Sequence, residues 1–238
     1  MTEALYMNDC YLTEFEAYVT KVEGNKIFLD KTAFYPTSGG VECDKGEIIF
    51  ENQTFKVIDV KKENGEIVHY LDRNASNLVN KKIIGKIDWN RRYKLMKLHT
   101  AAHIISAILY KEYKVLITGG NISEEYARDD FNLPSENWKE IVEDCINKTN
   151  KIIEEGRSVK IYFLKKEEAL KIPGIVKLAE KMPPNLDNLR IVEIENLDIQ
   201  ADGGPHVSNT KEIGKVKLIK VENKGKNNRR IYYTVDNE

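Results

Sequence analysis

Apolar and polar residues alternate with a period of two over the first eighty residues, a pattern typical of β-strands with one buried face. The alternating segments are separated by turn sequences such as Glu23-Gly24-Asn25 and Glu63-Asn64-Gly65. The pattern predicts strands over Phe15–Val22, Lys26–Asp30, Gly46–Phe50, Gln53–Val60 and Ile67–Leu71. Short strands with frequent turns predict a small β-barrel.

At Asp88 the period changes from two to between three and four. Leu95, Leu98, Ala102 and Leu109 recur at helical spacing, which predicts a long amphipathic helix from about Asn90 to Lys111, with Asp88 as its N-cap. We place a domain boundary just before this helix. The prediction is a β-barrel domain over residues 1–87 and a second domain over residues 88–238.

The second domain alternates between strand and helix patterns, so its predicted class is α+β with an antiparallel sheet. Its main further helix is predicted to start at a Ser135 cap, run to about Glu155 and end at Gly156. The strands are predicted over Val115–Thr118, Tyr126–Leu133, Ser158–Leu164, Leu189–Ile194, Lys215–Val221 and Arg230–Val235. A further short helix is predicted over Val176–Lys181, before Pro183-Pro184.

The composition is that of a soluble folded protein, with 32% charged and 41% hydrophobic residues among 238. No apolar run is long enough for a transmembrane helix, and the N-terminus lacks the pattern of a signal peptide, so we expect a cytoplasmic protein without a membrane partner. The three cysteines include no CxxC pair, which argues against a disulfide framework or a cysteine-rich zinc finger. No P-loop or dinucleotide fingerprint occurs, so no nucleotide cofactor is implied.

Basic residues are clustered, although the net charge is only −1. One cluster runs from Lys81 to Lys97 and the other from Lys215 to Arg230. Local clusters of this kind can contact RNA phosphates, or they can be ordinary solvated faces. The residues that we single out as candidate RNA contacts are Arg91, Arg92, Lys217, Lys224, Arg229 and Arg230.

The few histidines carry the strongest chemical signal. His99 and His103 are four residues apart on the long helix, so both imidazoles project from one face and can converge on one metal ion. Asp202-Gly203-Gly204-Pro205-His206 adds a third imidazole and a carboxylate, which together make a credible Zn²⁺ set. Each cluster alone could be an ordinary helix face or an ordinary turn. His69, isolated in a strand, is assigned a structural role.

Several motifs in fixed order resemble the free-standing alanyl-tRNA editing proteins, the AlaX family, over about Phe34 to Gly214. They are Phe34-Tyr35-Pro36-Thr37-Ser38-Gly39-Gly40, Asp88-Trp89-Asn90-Arg91-Arg92-Tyr93, the His99/His103 pair, Gly119-Gly120, and Asp202 to Val207 followed by Asn209 to Gly214. Two motifs depart from the family pattern. Asp202 and Pro205 stand where many members have Cys and Thr, and Ser38 interrupts a run of three glycines.

The resemblance implies a zinc-dependent hydrolase that deacylates tRNA for alanine mischarged with serine or glycine and spares alanyl-tRNA. One Zn²⁺ per chain would be held by His99, His103, Asp202 and His206, with Asp202 either a ligand or an orienting neighbour. The zinc would activate water or position the substrate. Substrate-binding roles would fall to Gly203, Gly204 and Thr37. The Thr37 hydroxyl is the candidate partner of the serine hydroxyl, and the alternative is that it does no more than cap its own turn.

Three other functions remain open at this stage. One is an editing hydrolase for another aminoacyl-tRNA, and the second is a tRNA-binding module without catalysis in which zinc is structural. A structural zinc site is closed by four protein ligands, and four candidate ligands are present here. The third is a metal-dependent esterase that acts on small esters without tRNA.

Overall fold

The structure is a computed structural model that describes residues 2–133, 136–172, 175 and 187–236. The chain divides into two compact units, Met1–Leu95 and Met96–Glu238. Their border falls inside a continuous helix, α1, over Trp89–Tyr113, so the sequence-based boundary before Asp88 stays a prediction. The α+β class, with an N-terminal barrel, a long helix and antiparallel sheet structure, is confirmed.

The first unit is built around a closed six-stranded barrel, with strand order β2-β3-β7-β6-β5-β8. Side chains alternate between interior and solvent, as in β2, where Phe15, Ala17 and Val19 are buried and their neighbours are exposed. The strands of this unit are β1 Glu3–Ala4, β2 Glu14–Glu23, β3 Lys26–Leu29, β4 Lys31–Thr32, β5 Gly46–Phe50, β6 Gln53–Glu63, β7 Glu66–Leu71 and β8 Lys82–Ile87.

Strand β8 closes the barrel by pairing with both β2 and β5, and the sequence analysis missed it. Its lysines were interpreted only as part of a basic cluster, although Ile83 and Ile87 alternate inward between them. Gly85 is required in this strand because a Cβ atom there would lie 2.4 Å from the Phe15 ring. The barrel therefore closes over a glycine that makes room for an aromatic side chain.

Helix α1 starts where the sequence predicts, because the Asp88 carboxylate accepts a hydrogen bond from the Arg91 N–H at 3.2 Å. From Leu95 to Leu109 every side chain of the helix is buried, so the expectation of an amphipathic helix is wrong there. The apolar spacing marked one buried face but did not reveal that the polar residues between are buried as well. His99, Thr100 and His103 are among them.

The described residues of the second unit form two antiparallel sheets, one with strand order β14-β15-β10-β9 and one with order β11-β12-β13. Helix α2 buries Val142, Cys145 and Ile153 and ends at Gly156, whose φ of 69° is the left-handed conformation predicted there. The Ser135 cap and the predicted helix over Val176–Lys181, with Pro183-Pro184, lie outside the described residues. The elements after α1 are β9 Ile117–Ile122, β10 Ala127–Phe131, α2 Trp138–Glu155, β11 Val159–Lys165, α3 Lys166–Ala169, β12 Asn188–Ile194, β13 Asp198–Ala201, β14 Val216–Asn223 and β15 Arg229–Val235.

Among the described residues, no helix has the length and apolar character needed to cross a membrane.

Candidate functional site

Three imidazoles and one carboxylate converge at one point in the second unit. Ligand atoms of His99, His103, Asp202 and His206 all lie within 4.8 Å of one another. The Asp202 carboxylate is central, since its oxygens lie 3.6 Å from His99 Nε2, 3.8 Å from His103 Nε2 and 3.3 Å from His206 Nε2. The two clusters recognised in the sequence therefore meet in the structure.

Two structural elements bring these side chains together. Helix α1 places His99 and His103 one turn apart, and the loop that follows β13 carries Asp202 and His206. Arg190 of β12, which is only 4% exposed, holds this loop in place. Its Nη1 donates hydrogen bonds of 2.9 Å to the carbonyl oxygens of both Asp202 and Gly204.

The loop comes unusually close to α1 at Gly204. A Cβ atom at this position would lie 2.5 Å from His99 Cε1 and 2.8 Å from His99 Nδ1. The Gly204 N–H donates a 2.6 Å hydrogen bond to Asp202 Oδ1, which orients the carboxylate toward the histidines. Gly203 is exposed. The substrate-binding roles of Gly203 and Gly204 stay predictions, but Gly204 has a clear packing role beside His99.

The Nδ1 atom of each histidine lies near a group that can accept a hydrogen bond. His99 Nδ1 lies 3.3 Å from the Pro205 carbonyl oxygen, which can only accept. His206 Nδ1 lies 3.0 Å from the Thr100 hydroxyl, which donates its own proton to the Met96 carbonyl oxygen and therefore accepts from the ring. The Nε2 atoms of His99 and His206 thus keep a lone pair, and the Nε2 atoms of all three histidines face Asp202.

His103 differs from the other two because its Nδ1 faces a second carboxylate. Asp198 Oδ2 lies 3.6 Å from this nitrogen, slightly beyond direct hydrogen-bond distance. The amide of Gln200, two residues along the same strand, donates a 2.7 Å hydrogen bond to that oxygen. His103 is therefore located between two carboxylates, one at each ring nitrogen.

Burial and mutual charge set the protonation of the cluster. Burial lowers the pKa of His99 to about 4, and burial together with the charges of His99 and His103 holds the pKa of His206 well below its usual range. Burial also acts to lower the pKa of His103, but the carboxylates of Asp198 and Asp202 outweigh it and raise this pKa to about 9.

Asp202 is ionised in the same cluster. Burial acts to raise the pKa of Asp202, but the charge of His99 and hydrogen bonds to His103 and His206 outweigh it and hold this pKa well below its usual range. These shifts favour an ionised Asp202 and a protonated His103 in the metal-free cluster. A metal cation would replace that proton, since zinc binds the neutral imidazole.

The donor set fits a zinc ion. Bonds of 2.0–2.2 Å to nitrogen and carboxylate oxygen in a tetrahedral site separate neighbouring ligand atoms by about 3.3 Å. The observed separations of 3.3, 3.6 and 3.8 Å between the Asp202 oxygens and the three Nε2 atoms are close to this value. Three imidazoles and one carboxylate with buried, oriented outer partners are a donor set that Zn²⁺ accepts.

Thr37 lies in an exposed turn of the first unit, between Pro36 and Ser38. Its hydroxyl oxygen accepts a 3.1 Å hydrogen bond from the Cys43 N–H, and its own N–H donates to the Val60 carbonyl oxygen at 3.0 Å. The hydroxyl thus caps its turn, as the alternative interpretation held. The role of Thr37 in recognising serine stays a prediction, since the hydroxyl still has its own proton to donate.

Two of the candidate RNA contacts are used inside the protein. Arg92 is fully buried and forms an ion pair with Asp44, and Arg91 is 5% exposed and pairs with Glu42 at 2.8 Å. Arg92 also donates to the carbonyl oxygen of Cys10 at 2.8 Å. Guanidinium groups held in this way cannot reach a phosphate, so the expectation that Arg91 and Arg92 contact RNA is corrected.

In the second basic cluster the arginines are likewise paired within the protein, whereas the two candidate lysines are exposed. Arg229 is 6% exposed, and its Nη1 donates to Asn223 Oδ1 at 2.8 Å. Arg230 makes a bidentate contact with Asp130, at 2.6 and 2.9 Å. Arg229 is thus also corrected to a structural role and Arg230 is engaged in the sheet, whereas Lys217 and Lys224 are exposed.

Sequence reasoning missed three residues that hold the site: Arg190, Asp198 and Thr100. A signal existed for Arg190, which is a charged residue inside the apolar run of β12. Thr100 follows His99 directly and has no distinguishing pattern, and Asp198 lies in a strand of four residues that was not predicted. Their roles depend on contacts between residues far apart in the sequence.

Comparisons with known proteins agree with this architecture. Residues 189–232 match the family model for the second additional domain of threonyl and alanyl tRNA synthetases, and residues 3–91 match the model for class II (A) tRNA synthetases. The chain is 56% identical over 237 residues to a protein of Saccharolobus solfataricus named alanyl-tRNA editing protein AlaX-M, with 99% of each chain covered. It is 43% identical over 242 residues to the AlaX-M protein of Methanosarcina barkeri, again with 99% of each covered.

A longer relative shows the same segment inside a larger enzyme. The chain is 37% identical over 220 residues to the alanine–tRNA ligase of Ignicoccus hospitalis, where 92% of this chain matches 24% of the ligase. The full-length matches therefore lie among free-standing chains of the same size, and the partial match lies within a synthetase.

Proposed function

The chain belongs to the family of alanyl-tRNA editing proteins of the AlaX-M type, and from this premise we propose that it is a zinc-dependent hydrolase acting in trans on mischarged tRNA for alanine. Its substrates are the seryl ester and the glycyl ester of this tRNA, and alanyl-tRNA is spared. The observation that carries the proposal is the convergence of three imidazole Nε2 atoms on the Asp202 carboxylate.

The reaction is hydrolysis of an ester that is already activated. Water adds to the carbonyl carbon, the bond from that carbon to the ribose oxygen breaks, and a proton passes to the ribose oxygen, which gives a free amino acid and uncharged tRNA. A bound zinc ion would supply charge stabilisation and a nucleophile at neutral pH. His99, His103 and His206 would hold it through Nε2, and the Asp202 carboxylate would supply the negative charge opposite them.

Discrimination between serine and alanine requires a polar group that only serine satisfies. An apolar pocket rejects a similar amino acid by a modest factor, whereas a polar group left unpaired with the wrong ligand discriminates far more strongly. We assign this role to Thr37, whose exposed hydroxyl already accepts the Cys43 N–H and can donate its proton to the serine hydroxyl.

The RNA partner is expected to contact the exposed lysines of the second basic cluster. Lys217 and Lys224 are the exposed members of the candidate set, and Lys217 forms an exposed ion pair with Asp236. Exposed ion pairs contribute little energy, so a phosphate can replace Asp236 at small cost.

The test is deacylation of purified seryl-, glycyl- and alanyl-tRNA for alanine, with zinc content measured on the same samples. We expect His206→Ala to lose both zinc and deacylation, whereas His69→Gln, which changes the one histidine outside the cluster, retains both. Thermal unfolding of each variant checks the fold. Full activity of a zinc-free His99→Ala/His206→Ala double variant would refute the site assignment.

A second candidate function is favoured by the number of ligands. Four candidate ligands can close a zinc site completely, which is the arrangement of a structural metal in a tRNA-binding module. Zinc-dependent binding of the tRNA without turnover of the seryl ester would support this function. Turnover of a different aminoacyl-tRNA, or of small esters without tRNA, would instead support the other two alternatives.

A further inference from the structure

The three histidines of the proposed metal centre differ in the group that lies beside their Nδ1 atom. The Nδ1 atoms of His99 and His206 face neutral acceptors, the Pro205 carbonyl and the Thr100 hydroxyl. Only His103 has a carboxylate, that of Asp198, at its Nδ1. The difference matters because a negative charge at one ring nitrogen increases the electron-donating power of the other.

Asp198 cannot itself be a ligand of the same ion. The two nitrogens of an imidazole point away from opposite sides of the ring, so a group at His103 Nδ1 faces away from the point where the three Nε2 atoms meet. The side chain of Asp198 is 1% exposed, which keeps its charge out of water. A buried charge of this kind acts strongly on its neighbours.

The orientation of Asp198 is itself fixed. Asp198 pairs with Ile194 at the start of β13, which sets its backbone in the sheet. Gln200 lies two residues further on the same face of the strand, and its amide donates a 2.7 Å hydrogen bond to Asp198 Oδ2. The same oxygen is the one that faces His103, so the amide aims the carboxylate at the ring.

We propose that Asp198 is a positioning residue of the metal centre, which holds His103 with its proton on Nδ1 and strengthens the Nε2 atom as a zinc ligand. The inference rests on the proposed metal-dependent function. It gives a reason for a buried aspartate and glutamine in a strand of only four residues, Asp-Ile-Gln-Ala.

The experiment measures the zinc affinity of Asp198→Asn by competition with a chelator. The substitution removes the charge and keeps the size of the side chain, and we expect the Kd for zinc to rise about 10- to 100-fold. Glu193→Gln is the matched control, since it removes a carboxylate from the neighbouring strand β12 that binds the Tyr162 hydroxyl instead of a metal ligand. The control is expected to leave the Kd unchanged.

A second readout separates positioning from general support of the fold. The visible spectrum of the Co²⁺-substituted protein reports the ligand field, and we expect it to shift in Asp198→Asn but not in Glu193→Gln. If Asp198→Asn fails to fold, Gln200→Ala, which removes only the amide that aims the carboxylate, is expected to weaken zinc binding by a smaller factor with the same spectral shift.

Two results would overturn the inference. One is an unchanged Kd and Co²⁺ spectrum in Asp198→Asn, and the other is an equal loss in Glu193→Gln. Either leaves the editing function intact, because zinc would still bind the wild-type protein. Failure of the wild-type protein to bind zinc at all would instead refute the metal centre on which the proposed function depends.

Discussion

The substitution Gly204→Ala would place a methyl group directly against His99, which we propose as a metal ligand. The new Cβ atom would lie 2.5 Å from His99 Cε1 and 3.2 Å from Asp202 Oδ1. Carbon atoms in ordinary contact are at least about 3.4 Å apart, so the His99 ring or the loop must move by roughly 0.9 Å. Zinc–ligand distances tolerate shifts of only about 0.2 Å, so His99 can no longer bind together with the other ligands.

The expected result is a loss of zinc affinity of roughly 100-fold, which corresponds to about 2.7 kcal/mol. The assay is competition with a chelator, and thermal unfolding of the metal-free protein verifies that the variant folds. Gly119→Ala is the control, because its Cβ atom would meet Asp130 Oδ2 at an ordinary 3.4 Å and no histidine within 4 Å. A folded Gly204→Ala protein with wild-type zinc affinity would refute the assignment of His99 as a ligand.

Three further predictions concern residues outside the metal centre. Arg92→Leu leaves a buried carboxylate without its partner, so we expect the free energy of unfolding to fall by about 3–5 kcal/mol, while the salt dependence of tRNA binding, measured by filter binding, stays unchanged. Burial lowers the pKa of His69 from 6.5 to about 4, so the folded protein resists a protonation that the unfolded chain accepts. Stability is therefore lost as the pH falls from about 6.5 to 4, by on the order of 3 kcal/mol, and chemical denaturation of His69→Gln should lack this loss. Lys217→Ala and Lys224→Ala should each reduce the slope of log affinity for tRNA against log salt by about 1, and an unchanged slope would remove these lysines from the interface.

The cluster of His99, His103, Asp202 and His206 could be predicted because its signal is local. The four-residue spacing of His99 and His103 requires a shared helix face, and the short loop from Asp202 to His206 carries the other two candidate ligands. What the sequence left open was whether the two clusters meet, since 106 residues separate Thr100 from His206, which are in hydrogen-bond contact. The resemblance to the editing proteins implied that the two clusters form one site, and the structure shows them together.

The positions that were predicted wrongly are charged residues with distant partners. In the sequence, Arg91 and Arg92 resemble part of a basic surface. The acidic residues that form ion pairs with them, Glu42 and Asp44, lie nearly fifty residues earlier. Local sequence cannot distinguish a solvated arginine from one that is paired inside the fold. Strand β8 was also not predicted, because its lysines were assigned to a basic cluster and the alternation of its buried isoleucines was not used.

The most direct test of the account is titration of the metal-free protein with Zn²⁺, with deacylation of seryl-tRNA for alanine measured at each step. The account predicts that activity is absent without metal, rises in proportion to bound zinc and levels off at one ion per chain. Full deacylation by the metal-free protein, or zinc bound at one ion per chain with no turnover of the seryl ester, would contradict it.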